Sequence, residues 1–481
     1  MKLRLIGGVV AGVVLAAAGW WWWQAGAQAR VVAAALPPLP DLAAASPALR
    51  ARVLAAEASA RRRWTARRGL EELARLYHAN GFFDEAMRCY TGLEQLEPAE
   101  PRWRHYHATI LGGFGETERA AELWRQVIRL APGFVPARLR LGDCLLKMDR
   151  LDEAAATYQE VLRISPDNPY AELNLARIDL ERKHWTEART RLEAVVRQTH
   201  FALGYDLIVS LYEQIGLRAQ AAAIRGAAKA SGAYRDPPDP WLDELMDLCY
   251  DPYRLALVAG VEAQEGDPAV AVRLLERAIA LAPAEVAPHF QLGGVAMVQR
   301  NFSLARDQFQ TCTLLNPEFA DGWAQLSGLQ AQEGDRATAE RTLAEGLAHC
   351  PNSPGLHLMR ARSLRQAGQT DAAIAEYRTS IRLRPNEPDA YTELGNLYIE
   401  QGNVDAGVRE MQAALEADPG DPLALGVMAF QAIGNHDESA ARQWLTRVVD
   451  QPREPREQTE RLLAAYRQAF GQDWTPDKSP E

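Results

Sequence analysis

Eight prolines of this 481-residue chain fall on one grid. Pro98, Pro132 and Pro166 stand 34 residues apart, and so do Pro283, Pro317, Pro351, Pro385 and Pro419. A fixed period of that length means one supersecondary unit copied many times, stacked because no copy buries its apolar face alone. Such a chain has no single closed core around one pocket. Each unit touches only its neighbours and leaves a long surface exposed.

With the proline as position 32 of each unit, the other landmarks fall into columns. Residues 67–100 carry Leu70, Leu73, Ala74, Tyr77, Ala86, Tyr90 and Pro98. Residues 135–168 carry Leu141, Gly142, Leu145, Ala154, Tyr158, Val161 and Pro166, and 388–421 repeat the pattern with Leu394, Gly395, Tyr398 and Met411. Large apolar residues three and four apart draw a stripe along a helix. The small residue after the central leucine (Ala74, Gly142, Gly293, Gly395) lets a second helix approach closely. Short turns such as Asn80-Gly81, Gly334-Asp335 and Gly402-Asn403 end the first helix and reverse the chain. The second helix brings its own small residue and aromatic, Ala86 with Tyr90 or Ala373 with Tyr377. Proline then closes the unit, because it cannot continue a helix interior.

These columns resemble the tetratricopeptide repeat (TPR) from Arg67 to about Pro455. The resemblance implies an all-α TPR superhelical solenoid of about 10–11 helix-turn-helix repeats. Ten units are well formed: 67–100, 101–134, 135–168, 169–202, 252–285, 286–319, 320–353, 354–387, 388–421 and 422–455. In 169–202 the closing proline is replaced by His200, and 203–236 is degenerate, with Tyr212 and Ala221 out of register. Residues 456–481 supply a capping helix, over Glu457 to Phe470, and a tail.

The grid breaks once. Pro283 follows Pro166 by 117 residues, three periods plus 15. The extra chain includes Asp236-Pro237-Pro238-Asp239-Pro240, where the prolines forbid helix and favour extended backbone. Residues 237–251 are therefore a hinge between stacks 67–236 and 252–455, or an insertion in one continuous solenoid. Trp241 to Tyr250 reads as a short helix with an apolar side, packed on a repeat or docking through Trp241 and Tyr250.

Residues 1–24 form a cytoplasmic start and a transmembrane anchor. Leu5 to Trp23 carries no charge and approaches the length of a bilayer-crossing helix. It ends in four consecutive tryptophans, which favour the membrane interface. Lys2 and Arg4 precede it, so the start stays in the cytoplasm and the repeats lie beyond the inner membrane, facing the periplasm. Ala27-Gln28-Ala29 has the form of a signal-peptidase site, leaving a cleaved signal as the alternative. Residues 25–66 supply a Pro/Ala linker, Ala33 to Ser46, and a basic helix of roughly Pro47 to Arg68. Residues 1–68 hold ten basic and two acidic side chains, net +8, so the rest carries −18 of the overall −10. Those arginines lie on anionic headgroups or form a solvated face. The acidic remainder argues against nucleic acid.

Motifs for chemistry are missing. The chain has no His-Glu-x-x-His, phosphate-binding loop, Gly-x-Ser-x-Gly or Gly-x-Gly-x-x-Gly. Cys89, Cys144, Cys249, Cys312 and Cys350 are scattered without a Cys-x-x-Cys pair. His105 and His107 are two apart and face different sides of a helix. The reading is a non-enzyme with no catalytic residue, cofactor or metal site.

In the family, the first helix of each unit lines a concave groove that holds a protein or peptide. Position by position, the resemblance nominates Arg140, Tyr170, Asn174, Arg177, Phe290, Gln291, Gln325, Arg362, Arg365 and Asn396. Asn and Arg suit an extended peptide, since they bond backbone amides and carboxylates. The expected function is a membrane-anchored scaffold or assembly factor of the bacterial cell envelope. The alternative is the non-catalytic repeat subunit of an envelope enzyme, such as a glycosyltransferase or polysaccharide-export complex.

Overall fold

A computed structural model describes residues 20–475 apart from 44, 200, 219, 222, 223, 226–235 and 450–455. The expected membrane span therefore lies almost wholly outside the described residues, as do His200 and part of the degenerate unit. No described helix is long and apolar enough to cross a membrane.

The proline grid translates directly into helix ends. Phe83–Leu96 stops two residues before Pro98, Thr117–Leu130 before Pro132, Phe302–Leu315 before Pro317 and Val404–Ala417 before Pro419. Each of these is the second helix of a hairpin whose first helix precedes it: Ala66–Ala79, Pro101–Gly113, Val286–Val298 and Pro388–Glu400. First helices start on caps where the sequence allows. Asn168, Ser353 and Asp421 each accept a hydrogen bond from the backbone N–H three residues on. Among the described residues there are helices, turns and no extended strand.

A second grid appears in the backbone. Gly81, Gly115, Asp149 and Lys183, then Arg300, Gly334, Gly368, Gly402 and His436, all have φ between 52° and 91°. They fall 34 apart within each group, at the turn between the two helices. Reversing the chain there needs one left-handed residue, which glycine supplies without strain and Lys183 and Arg300 supply at a cost.

The chain divides into two compact units. The first comprises Met1–Leu211, Gly232–Val261 and Ala280–Pro283. Its core joins Leu70, Leu73, Tyr77, Tyr90 and Trp103 to Leu245 and Leu248 of the proline-rich segment 237–251, all buried. Helix 20–35 is anchored in the same core by Val32, which is fully buried, while Trp20, Trp21, Trp22 and Trp23 remain exposed. The basic stretch is not one helix. Pro47–Ala60 ends at a turn, and Ala66–Ala79 begins the first repeat. Gly69 permits this, since a Cβ there would sit 2.1 Å from the Ala60 backbone nitrogen.

The second unit takes Tyr212–Ser231, Glu262–Ile279 and Ala284–Glu481. Within it the small-residue column meets an aromatic column. A Cβ on Gly293 would come within 2.5 Å of the Phe309 ring. The same holds in the first unit, where Gly142 faces the Tyr158 ring. At the far end, helix Arg456–Phe470 buries Leu462 and Tyr466 against Leu445 and Val448.

Candidate functional site

First helices of successive hairpins share one face, and the sequence nominates that face for binding. In the first unit much of it is covered by the chain's own residues 236–250. The direction is reversed relative to the repeats. Asp236 sits at the third and fourth repeats, where Arg140 donates to its carboxylate at 2.9 Å and the Tyr170 hydroxyl reaches its carbonyl at 3.4 Å. Burial works against the Arg140 charge, yet the Asp236 carboxylate outweighs it and holds the guanidinium above its ordinary pKa.

Asp239 comes next, at the second repeat, and is buried with His105. The two side chains are 2.6 Å apart. The Trp124 indole, a donor only, points at His105 Nδ1 from 3.3 Å, so Nδ1 accepts and Nε2–H donates to Asp239. The other Asp239 oxygen caps helix Pro240–Met246 by accepting from Leu242 N–H. Further along, the Tyr106 hydroxyl donates to the Trp241 carbonyl at 2.8 Å. Asn80 then holds backbone at two points: it donates to the Leu248 carbonyl at 2.8 Å and accepts from Tyr250 N–H at 2.7 Å.

Where that segment stops, the first unit keeps an open cleft. Asp143, Leu146, Lys147, Leu173, Asn174 and Arg177 contribute to its lining, and its volume is about 560 Å³. Asn174 is buried, donates to Asp143 at 3.2 Å and accepts from the exposed Arg177 at 3.0 Å. Burial raises the Asp143 carboxyl above its ordinary pKa, against the Tyr158 hydrogen bond that lowers it.

In the second unit a cleft of about 550 Å³ is lined by Arg362, Arg365, Gln366, Tyr377, Glu393 and Glu400. Arg362 donates to Glu393 at 2.7 and 2.5 Å, and Arg365 pairs with Glu400. Burial first, then the neighbouring Glu393, pushes the Tyr377 phenol up to about 12. A second cleft of about 320 Å³ shares Arg362 and Gln366. Phe290 packs edge-on against Phe319, with ring centroids 5.1 Å apart, and so serves the stack more than a partner. The Gln291 side-chain oxygen is enclosed without a hydrogen-bond partner. Gln325 is exposed on Ala320–Gln332, and Asn396 is half-buried on Pro388–Glu400.

The nominated residues thus separate into groups. Arg140 and Tyr170 converge on Asp236, Asn174 and Arg177 on the first cleft, Arg362 and Arg365 on the second. Helical hairpins of this length, with a common face and periodic closing prolines, match known proteins. A family model described as tetratricopeptide repeat matches residues 107–169, 261–311 and 358–422, and another of the same description matches 149–208.

The chain is a tetratricopeptide-repeat protein.

The TPR chain is 24% identical over 260 residues to human protein O-mannosyl-transferase TMTC3, covering 49% of this chain and 28% of that protein. It is 30% identical over 169 residues to cellulose synthase 1 operon protein C of Komagataeibacter xylinus, covering 34% and 11%. The matches thus span less than a third of either relative's length. Among solved structures, yeast Tom70 aligns with 85% of this chain and 96% of its own, at 15% identity and TM-score 0.41. TPR proteins bind protein or peptide partners.

His105, Asp239, Asn80 and Phe134 are residues that the sequence did not nominate for binding, whereas Trp241, read as packing on a repeat or docking, stacks on Phe134. His105 stands in a first helix, and Asn80 was read only as a turn residue. His107, its neighbour but one, bonds Glu94 at 2.9 Å instead. Cys89, Cys144, Cys249 and Cys312 are buried, and burial drives the Cys89 thiol up to about 12.

Proposed function

We propose that this TPR protein is a membrane-anchored scaffold or assembly factor of the bacterial cell envelope, with its repeats in the periplasm. It holds a protein or peptide against the first helices of its repeats. The cleft lined by Arg362, Arg365, Tyr377, Glu393 and Glu400 carries this reading, because it offers both charges and open volume on the face that the family uses. The anchor rests on the uncharged stretch Leu5 to Trp23 and on exposed tryptophans at the start of helix 20–35. That helix is tied to the first repeat by Val32, so the anchor would pass its position on to the repeats.

Cellulose synthase 1 operon protein C supports a second reading, the non-catalytic repeat subunit of a polysaccharide-making or exporting envelope complex. Crosslinking in membranes followed by affinity capture separates the two: an assembly client supports the first, a synthase or export subunit the second. A reporter fused after Glu481 is expected to be active in the periplasm alone. Cytoplasmic activity contradicts the orientation.

A further inference from the structure

The occupant of the first unit's binding face is a ligand in its chemistry. Two of its acidic residues meet arginines: Asp236 bonds Arg140, and Glu244 lies 3.6 Å from Arg75 and 4.0 Å from Arg102. Its backbone is held by side chains, through Asn80 at both ends of the Leu248–Tyr250 step and through Tyr106 at Trp241. Its one indole stacks on Phe134. Asp239 is 4% exposed and its partner His105 fully buried.

A segment serving stability alone would gain as much from apolar packing, since replacing a buried ion pair by well-packed apolar residues is often neutral or stabilising. Leu245 and Leu248 already provide such packing at one end. The stretch from Asp236 to Trp241 is held instead by polar contacts to Arg140, Tyr170, His105 and Tyr106.

We propose that the first-helix face of repeats one to four is a peptide-recognition site for an acidic segment of the form Asp-Pro-Pro-Asp-Pro-aromatic, non-helical over its first four residues and helical from the last proline, that residues 236–250 fill it as an internal ligand, and that a protein partner bearing a like segment competes for it. This deepens the scaffold reading for the first unit and rests on it. A tethered ligand acts at an effective concentration of about millimolar, so the internal segment suppresses weak competitors. Only a partner that matches the contacts displaces it.

The test uses purified full-length protein in detergent and a labelled synthetic peptide of residues 236–250 with serine in place of Cys249. No membrane orientation or natural partner enters, so its failure is distinct from failure of the envelope assignment. The variant Asp236→Ala/Asp239→Ala/Trp241→Ala loosens the internal segment and leaves the face intact. Fluorescence anisotropy is expected to show the peptide binding this variant at least about tenfold more tightly than wild type. Adding His105→Ala and Arg140→Ala is expected to remove that gain. Equal binding to wild type and to the loosened variant, with helical content retained at the assay temperature, overturns the proposal.

A second measurement needs no variant. The same peptide with benzoylphenylalanine at the Trp241 position, at millimolar concentration, is expected to crosslink wild-type protein near Phe134 and within Pro101–Gly113. Adducts elsewhere, or equal adducts from a scrambled peptide, overturn the proposal as well.

Discussion

The indole of Trp241 lies over the ring of Phe134, with centroids 3.6 Å apart and planes inclined by 12°. Trp241 belongs to the proline-rich segment 237–251 and Phe134 is the last residue of the second repeat, so this pair fastens residues far apart in sequence. Both side chains are half-buried. Trp241→Ala is expected to destabilise the first unit by about 1–3 kcal/mol, from lost area plus about 0.5–1.5 kcal/mol for the stacked pair. Urea unfolding checks this. An unchanged midpoint shows that the stack adds nothing.

Adjacent glycines in Val286–Val298 are expected to respond with opposite signs. A Cβ on Gly293 meets the buried Phe309 ring at 2.5 Å, whereas one on Gly294 meets nothing within 4 Å. Gly293→Ala is expected to cost about 1–3 kcal/mol by overpacking. Gly294→Ala is expected to gain about 0.5–1 kcal/mol from helix propensity. Thermal melts of the two variants measure both, and equal shifts would refute the packing register.

Arg300 holds φ at 58° in a column that glycine fills elsewhere. Relief of about 1–2 kcal/mol of left-handed strain, less about 0.4–1 kcal/mol of added chain entropy, leaves Arg300→Gly stabilising by about 0.8 kcal/mol. Gly334→Arg, the reverse exchange one repeat later, is expected to lower the melting temperature. A rise would contradict the backbone grid.

His78 makes the first unit sensitive to acid. It is 5% exposed and bonds the Tyr90 hydroxyl at 3.1 Å. Burial, with a smaller push from the Arg254 charge, lowers its pKa to about 3. An unfolded histidine titrates near 6.5. Between those values the unfolded chain takes up a proton that the folded one refuses. The contribution is therefore present in full above about pH 6.5 and is lost as pH falls toward 3, by at most about 1.4 kcal/mol per pH unit. Urea midpoints from pH 7 to 5 are expected to fall more steeply for wild type than for His78→Gln. Parallel slopes would show that His78 does not titrate in this way.

The contrast between these sites explains what the sequence made legible. Pro98, Gly142, Tyr158 and their counterparts repeat, so period alone placed the hairpins, the second-helix ends and the close helix approach. Left-handed turns at Lys183 and Arg300 were not anticipated, because only glycine and asparagine announce such backbone locally. The path of residues 236–250 was also hidden. His105 and Asp239 are 134 positions apart and occur once, and a contact made once leaves no periodic trace. Arg140 and Tyr170 stood in the right column for a partner, yet Asp236 of the same chain already engages them.

Partner capture on the first-helix face is the claim on which the scaffold role depends, and site-directed photocrosslinking tests it most directly. A benzophenone side chain is placed at Gln325, exposed on Ala320–Gln332, or at Glu345, exposed on the second helix Arg336–His349, in full-length protein within native membranes. A discrete protein adduct from Gln325 and none from Glu345 is expected. Adducts from Glu345 with none from Gln325, or equal adducts from both positions, would contradict it.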